Sequence, residues 1–232
     1  MAGSVVRSFL DLLYPPRCAA CGEPLSSTAD EPFCEPCSDA VEPVPAGCAR
    51  CGLPGPDSVC GACLAAPPAF ESCSAGALFG GPLADAIRSF KYGDRPALAR
   101  PLGTWLAGRV AFSGRPLLVP IPLGRRRRLA RGYDQAALLA RAFARTARAA
   151  EALSPRALAR IRETQPQVGR DRAARLGNVR GAFRADPRRV RGREVLLLDD
   201  VVTTGATADS AAEACLRAGA RSVRVVALAR AD

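Results

Sequence analysis

Eight cysteines fall between positions 18 and 63 as four C-x2-C pairs: Cys18/Cys21, Cys34/Cys37, Cys48/Cys51 and Cys60/Cys63. A two-residue gap lets both thiolates of a pair reach one ion, and two pairs complete a tetrahedral site. The pattern therefore predicts two zinc ions, each held by four thiolates. No coordination position stays open, so the metal is expected to be structural. A segment of roughly 50 residues with few large apolar side chains has little core of its own, whereas a structural zinc contributes about 10–16 kcal/mol. Gly22, Gly52 and Gly61 stand beside these cysteines and are expected to make the tight turns of the knuckles. Sequential pairing closes loops of 12 and 8 residues between pairs; interleaved pairing satisfies the spacing equally. Four disulfides would need an oxidising compartment, and the chain reads as cytoplasmic.

A second chemical cluster lies near the C-terminus, in Val195-Leu196-Leu197-Leu198-Asp199-Asp200-Val201-Val202-Thr203-Thr204-Gly205-Ala206-Thr207. The backbone N–H groups of Thr203–Thr207, at the start of a helix, form an anion cradle. Three hydroxyls add neutral donors, and Gly205 permits close approach of the backbone. Two carboxylates beside such a cradle would repel a bare phosphate. They suit a ligand with a phosphate at one end and hydroxyls or a metal nearby, which is the layout of a ribose 5-phosphate. The segment has neither the Gly-Lys-Ser/Thr ending of a Walker loop nor a G-x-G-x-x-G.

These residues need elements to position them. Val195–Leu198 reads as a strand buried on both faces, as in a parallel sheet, with the carboxylates at its C-terminal end. An Ala-rich helix over about 207–218, closed by Gly219, and a strand over 222–228 complete a strand–loop–helix–strand unit. Residues 117–123 read as another strand, a central one, followed by a basic loop of Arg125, Arg126, Arg127 and Arg128 with Arg131 beyond. The apolar spacing of Val5 to Leu13 predicts a short amphipathic helix. Leu64–Ala69 reads as a linker, giving a zinc module over residues 1–66 and an α/β domain over 67–232.

Charge divides along the same line. Residues 1–75 carry three arginines against nine carboxylates, whereas the remainder carries 30 basic and 13 acidic residues. The second part is built to meet anions. The chain's single lysine, Lys91, lies in Phe90-Lys91-Tyr92-Gly93-Asp94. There is no histidine, which removes Ser–His and Cys–His hydrolysis; Cys73 and Cys215 read as small buried hydrophobes. No apolar run reaches the ~18 residues of a membrane helix, so no membrane insertion is expected.

Val195–Thr207 resembles the signature of type I phosphoribosyltransferases that binds 5-phosphoribosyl-1-pyrophosphate (PRPP). The four cysteine pairs and Phe90–Asp94 are also similar to the ComF family of competence-associated proteins. So are Val119-Pro120-Ile121-Pro122-Leu123, Arg131-Gly132-Tyr133-Asp134-Gln135, Thr164 with Gln167, Arg175 with Asn178, and Phe183. Arg170 departs from that pattern, standing where an apolar residue is expected. The resemblance covers nearly the whole chain. It implies a type I phosphoribosyltransferase-like α/β fold, a parallel sheet flanked by helices, behind a double zinc ribbon. It also implies a link to DNA uptake.

In that fold Asp199 and Asp200 would meet the ribose hydroxyls, directly or through Mg2+, and act in catalysis, while Thr203, Thr204, Gly205, Ala206 and Thr207 hold the 5-phosphate. Arg125–Arg128, Arg131 and Lys91 are candidates for the pyrophosphate, with a solvated or nucleic-acid-binding Arg face as the alternative. Tyr133 and Gln135 read as ligand contacts or as packing and capping residues. The polar segment 162–178 reads as a lid or as an exposed loop. Three functions are compatible: transfer to an acceptor that the sequence does not identify, sensing of PRPP or a nucleotide without turnover, and an adaptor for a DNA-uptake partner and single-stranded DNA.

Overall fold

A computed structural model describes residues 15–25, 31–56, 58–163, 179 and 181–231. The expected N-terminal helix, and the expected lid over 162–178 from residue 164 onward, lie outside the described residues. The helices are α1 (Glu35–Asp39), α2 (Gly61–Ala65), α3 (Gly81–Tyr92), α4 (Ala99–Arg109), α5 (Arg125–Arg131), α6 (Gln135–Thr146), α7 (Pro187–Val190) and α8 (Ala206–Arg217). The strands are β1 (Ser72–Leu78), β2 (Leu117–Pro120), β3 (Leu158–Arg160), β4 (Phe183–Ala185), β5 (Glu194–Val202) and β6 (Ser222–Arg230).

Four strands form a wholly parallel sheet in the order β1-β6-β5-β2, and β3 and β4 form a small antiparallel pair. In β5, Leu196 and Leu198 enter one core with α3, α4 and α6, whereas Val195 and Leu197 enter the other, beneath α8. Burial on both faces is what four consecutive branched residues demand, and each fully buried leucine contributes about 1.5–3 kcal/mol. The strand runs further than expected, through Asp199 and Asp200 to Val202. Helix α8 ends as expected: Gly219 takes φ +92° and donates to the Leu216 carbonyl, and the Ala220 N–H bonds back to Cys215.

Three expectations need correction. β2 is an edge strand of this sheet, not a central one. Its ladder stops at Pro120; the last bond runs from Ile121 N–H to Leu198 O, and the next N–H on that edge, Leu123, turns instead to the Asp134 carboxylate. The arginine run is the helix α5 rather than a loop, started by Gly124 and closed by Gly132 at φ +74°. Gly22 and Gly52 do take the left-handed turns expected of them, at φ +80° and +67°, but Gly61 simply opens α2.

The cysteine region is a tandem repeat, offset by 30 residues at the first cysteine pair and by 26 at the second. The bridge Arg17↔Pro24 recurs as Gly47↔Pro54, and the bond Cys18 N–H to Glu23 O recurs as Cys48 N–H to Leu53 O. Each copy ends on a five-residue helix whose N-cap is a cysteine, Cys34 or Cys60. The copies dock differently. The first sends Cys18, Ala19, Phe33 and Val41 into the core of the α/β domain, with Phe33 edge-on to Trp105 at 5.9 Å between ring centroids. The second keeps a small cluster of its own around Cys48, Cys51 and Cys63. The open side of β1 is covered between them. Leu78 N–H bonds Glu42 O, and Gly52 packs so tightly on the Cys73 carbonyl that a side chain there would collide with it.

Candidate functional site

Parallel strands aim their C-terminal ends at one edge, and the candidate groups collect there. Gly205, at φ +78° over the ring of buried Phe70, turns the chain from β5 into α8. A non-glycine residue rarely adopts that conformation. The Thr204 hydroxyl accepts from Ala206 N–H, and the buried Phe70 and Ala208 support the turn from below. Asp199 and the loop residues Thr203–Thr207 line one hollow of about 20 Å3. That holds roughly a single water, so an anion would rest at its mouth, on the N-terminus of α8. A hollow of about 450 Å3 on the outer side of α8, lined by Ala69, Gly181, Glu213, Leu216 and Arg217, is shallow and gathers no convergent donors. The chemistry belongs to the smaller one.

Strand alternation separates the two carboxylates. Asp199 faces the loop hollow, and its oxygen accepts from Asp200 N–H at 2.8 Å. Burial first, and then the adjacent Asp200 charge, raise its pKa from the ordinary carboxylate range to about 7 against the opposing pull of Lys91. Asp200 points to the other face and pairs with Lys91 Nζ at 2.7 Å, both side chains being largely buried. Lys91 thus sits in the site as the counter-ion of Asp200. The end of α3 that carries it is tied down by the Tyr133 hydroxyl, which donates to the Phe90 carbonyl.

The remaining expected residues are scattered around this centre. Arg125, Arg126 and Arg128 are exposed on α5, and among the described residues no α5 side chain bonds to Asp199, Asp200 or the threonine loop. The α5 N-terminus is already held by a carboxylate, Glu163, which accepts from Arg126 N–H. Arg131 stacks over Tyr92 at 4.9 Å, on a surface where Tyr92 is 74% exposed. The N-cap of α6 is Asp134: one carboxylate oxygen accepts from Ala137 N–H and the other from Leu123 N–H, bracing the turn after β2. Gln135, fully buried, has neither amide atom bonded.

Two residues escaped the sequence reading. Asp134 follows a tyrosine and precedes a helical pattern, which is a legible N-cap signal. Arg230 follows the apolar run Val225–Ala229 at the end of its strand, and its guanidinium donates to the carbonyls of Val202, Thr203 and Ala231. A charge at the end of an apolar run was the only clue to it.

The cysteines divide sequentially: Cys18, Cys21, Cys34 and Cys37 form one tetrad and Cys48, Cys51, Cys60 and Cys63 the other. Within each, all four sulfurs lie within 4.8 Å of one another. Cys21 and Cys34 sulfurs are 3.7 Å apart, as are those of Cys51 and Cys60. Tetrahedral zinc with bonds of about 2.3 Å needs an edge near 3.8 Å, far longer than a disulfide. The donor sets therefore fit two structural zinc ions. Cys73 and Cys215 are buried in the core, as expected.

The description "Double zinc ribbon domain" matches residues 9–64, and "Phosphoribosyl transferase domain" matches residues 135–232. The chain is 32% identical to the DNA utilization protein YhgH of Escherichia coli K12 over 228 residues, covering 94% of this chain and 99% of that one. It is 29% identical to Competence protein F of Haemophilus influenzae over 226 residues, covering 93% and 97%. Two solved structures align more partially. The allosteric regulatory enzyme of purine biosynthesis aligns with a TM-score of 0.38 and 21% identity, over 56% of this chain and 25% of that one. Glutamine PRPP amidotransferase from B. subtilis, complexed with ADP and GMP, aligns with a TM-score of 0.41 and 21% identity, over 61% and 30%. This chain thus spans less than a third of either enzyme.

Proposed function

Since this chain belongs to the family of YhgH and Competence protein F, with a double zinc ribbon and a phosphoribosyltransferase domain, we propose that it binds PRPP and serves DNA utilisation or uptake in the cytoplasm. The proposed organisation is a zinc module over residues 1–66 and the PRPP-binding domain over 67–232. The observation that carries the reading is the shared hollow of Asp199 and Thr203–Thr207 at the N-terminus of α8. A phosphate would rest at its mouth on the N-terminus of α8, with ribose hydroxyls beside Asp199. Thr203–Thr207 would receive the 5-phosphate, and Asp199 with Asp200 the ribose hydroxyls.

The carboxylate oxygens are hard donors that fit Mg2+, which would help neutralise the pyrophosphate. Lys91 and the arginines of α5 are the cations this chain offers to the same group. Lys91 would do so after exchanging Asp200 for the ligand. Transfer needs no protein nucleophile, so preorganised charge around the leaving pyrophosphate suffices as a catalytic device. Calorimetric titration of the zinc-loaded protein with PRPP, with and without Mg2+, tests the binding. Mg2+-dependent binding is the expected result, and a folded, zinc-replete protein that takes up no PRPP would overturn it. Release of pyrophosphate on adding candidate acceptors separates transfer from sensing.

A second reading, single-stranded DNA bound on the α5 side, is favoured by the exposed arginines of that helix and by Tyr92 under Arg131. Phosphate contacts by arginine and stacking on an aromatic ring are what such a strand requires. Its affinity should fall steeply with salt. Replacing Arg125, Arg126 and Arg128 by glutamine should flatten that slope by about two, roughly 0.7 for each single-strand phosphate left without its arginine. An unchanged slope would remove the α5 surface from the reading.

A further inference from the structure

Arg230 closes the central strand β6, in register with Val202 at the end of β5. It is 4% exposed. One terminal nitrogen of its guanidinium faces three backbone carbonyls, Val202 and Ala231 at 3.0 Å each and Thr203, so its two N–H groups are shared among them. Its Nε is buried without a hydrogen-bond partner, and among the described residues it has no carboxylate partner. A buried cation is ordinarily paired, because transfer from water penalises an isolated charge heavily. Here carbonyl dipoles solvate the cation, but among the described residues no formal negative charge balances it.

Its location supplies a reason. Val202 and Thr203 are the residues by which β5 passes into the Thr203–Thr207 loop. A guanidinium holding both carbonyls from behind fixes their peptide planes, and with them the direction of the N–H groups that follow. It also places a fixed positive charge beneath the N-terminus of α8, where the helix dipole already favours an anion. Helix, loop and cation all act in the same sense.

We infer that Arg230 is a positioning residue and buried counter-ion of the loop, and that the negative charge it lacks among the described residues comes from a dianionic phosphate monoester bound at Thr203–Thr207. The inference rests on the proposal that this loop holds the 5-phosphate of PRPP. It adds that the site selects the dianion over the monoanion, and that the selection comes from a side chain that never touches the ligand.

Ribose 5-phosphate, titrated calorimetrically from pH 5 to pH 8, is the probe, with ribose as the uncharged control. Wild-type affinity should rise from pH 5 as the phosphate loses its second proton near pH 6, and level off or fall above about 7, where Asp199 in the same hollow ionises. Arg230→Gln keeps donors for the carbonyls without the charge. It should weaken ribose 5-phosphate binding about thirtyfold and flatten the pH profile, at unchanged zinc content. Arg230→Lys, which keeps the charge, should restore the profile.

Full affinity and an intact profile in Arg230→Gln would overturn the role of Arg230 while leaving the phosphate site standing. Wild-type protein that binds neither PRPP nor ribose 5-phosphate would overturn both. The phosphorus NMR titration of ribose 5-phosphate bound to wild type is independent of whether any variant folds. Its phosphate pKa should lie well below 6, and a value unchanged from free ligand overturns the counter-ion.

Discussion

Cys18→Ser should cost this protein its fold, whereas Cys48→Ser should cost it little more than one ribbon. Each removes one ligand from a different tetrad, so each should lower the zinc content from two ions per chain towards one. A lost structural zinc forfeits about 10–16 kcal/mol, as much as the whole stability of an ordinary domain at about 5–15 kcal/mol. The consequence depends on what else the ribbon carries. Cys18 and Ala19 are fully buried in the same core as Leu102, Leu106, Leu196 and Leu198, and Phe33 from that ribbon packs on Trp105. Unfolding the first ribbon strips the sheet of one of its covers. The second ribbon clusters mainly on its own cysteines and touches the domain through Gly52 at Cys73. Zinc analysis and calorimetric melting of the two variants check this. Equal and small losses of melting temperature would show that the first ribbon is not part of the core.

Replacing both Asp199 and Asp200 by asparagine should weaken Mg2+-dependent PRPP binding by about a hundredfold or more, since two charge-assisted interactions disappear together. The single changes should differ, because the carboxylates face different partners. Asp200→Asn releases Lys91 from its ion pair, so part of its effect should vanish in a variant that also carries Lys91→Met. Asp199→Asn should leave a signature in pH instead. Asp199 titrates at about 7 in the folded chain against 3.8 for an ordinary aspartate, so the folded state holds this proton more tightly than the unfolded one. Ligand-free stability should therefore fall as pH rises from about 4 through 7. Asp199→Asn, which cannot ionise, should lack that part of the slope and melt higher than wild type at pH 8. Parallel melting curves from pH 5 to pH 8 would show that Asp199 carries no buried charge. Stability surrendered at a binding loop is expected where carboxylates are held apart from their ligand.

Much of this was written locally. Four C-x2-C pairs dictate tetrahedral sulfur sites because ligand type and gap are short-range properties. Val195–Leu198 followed by Asp199-Asp200 and Thr203-Thr204-Gly205 dictates a buried strand, an acidic pair and a tight turn into a helix for the same reason. What local pattern left open were relations between distant segments. Sequential or interleaved pairing of the cysteines was one, settled by two repeats that each fold on their own loop. The edge position of β2 was another, because strand order is set by which faces bury against which helices.

The partners of the charges were also beyond reach. Lys91 lies 109 residues from Asp200, and Arg230 bonds a loop that precedes it by a whole helix and strand. Taken alone, then, the sequence determined which groups can bind metal and phosphate, since composition and spacing fix donor chemistry. Only the tertiary structure decided which charges meet, and which ribbon is welded to the core. Ion pairs and packing act over a few ångströms of space and are blind to distance along the chain.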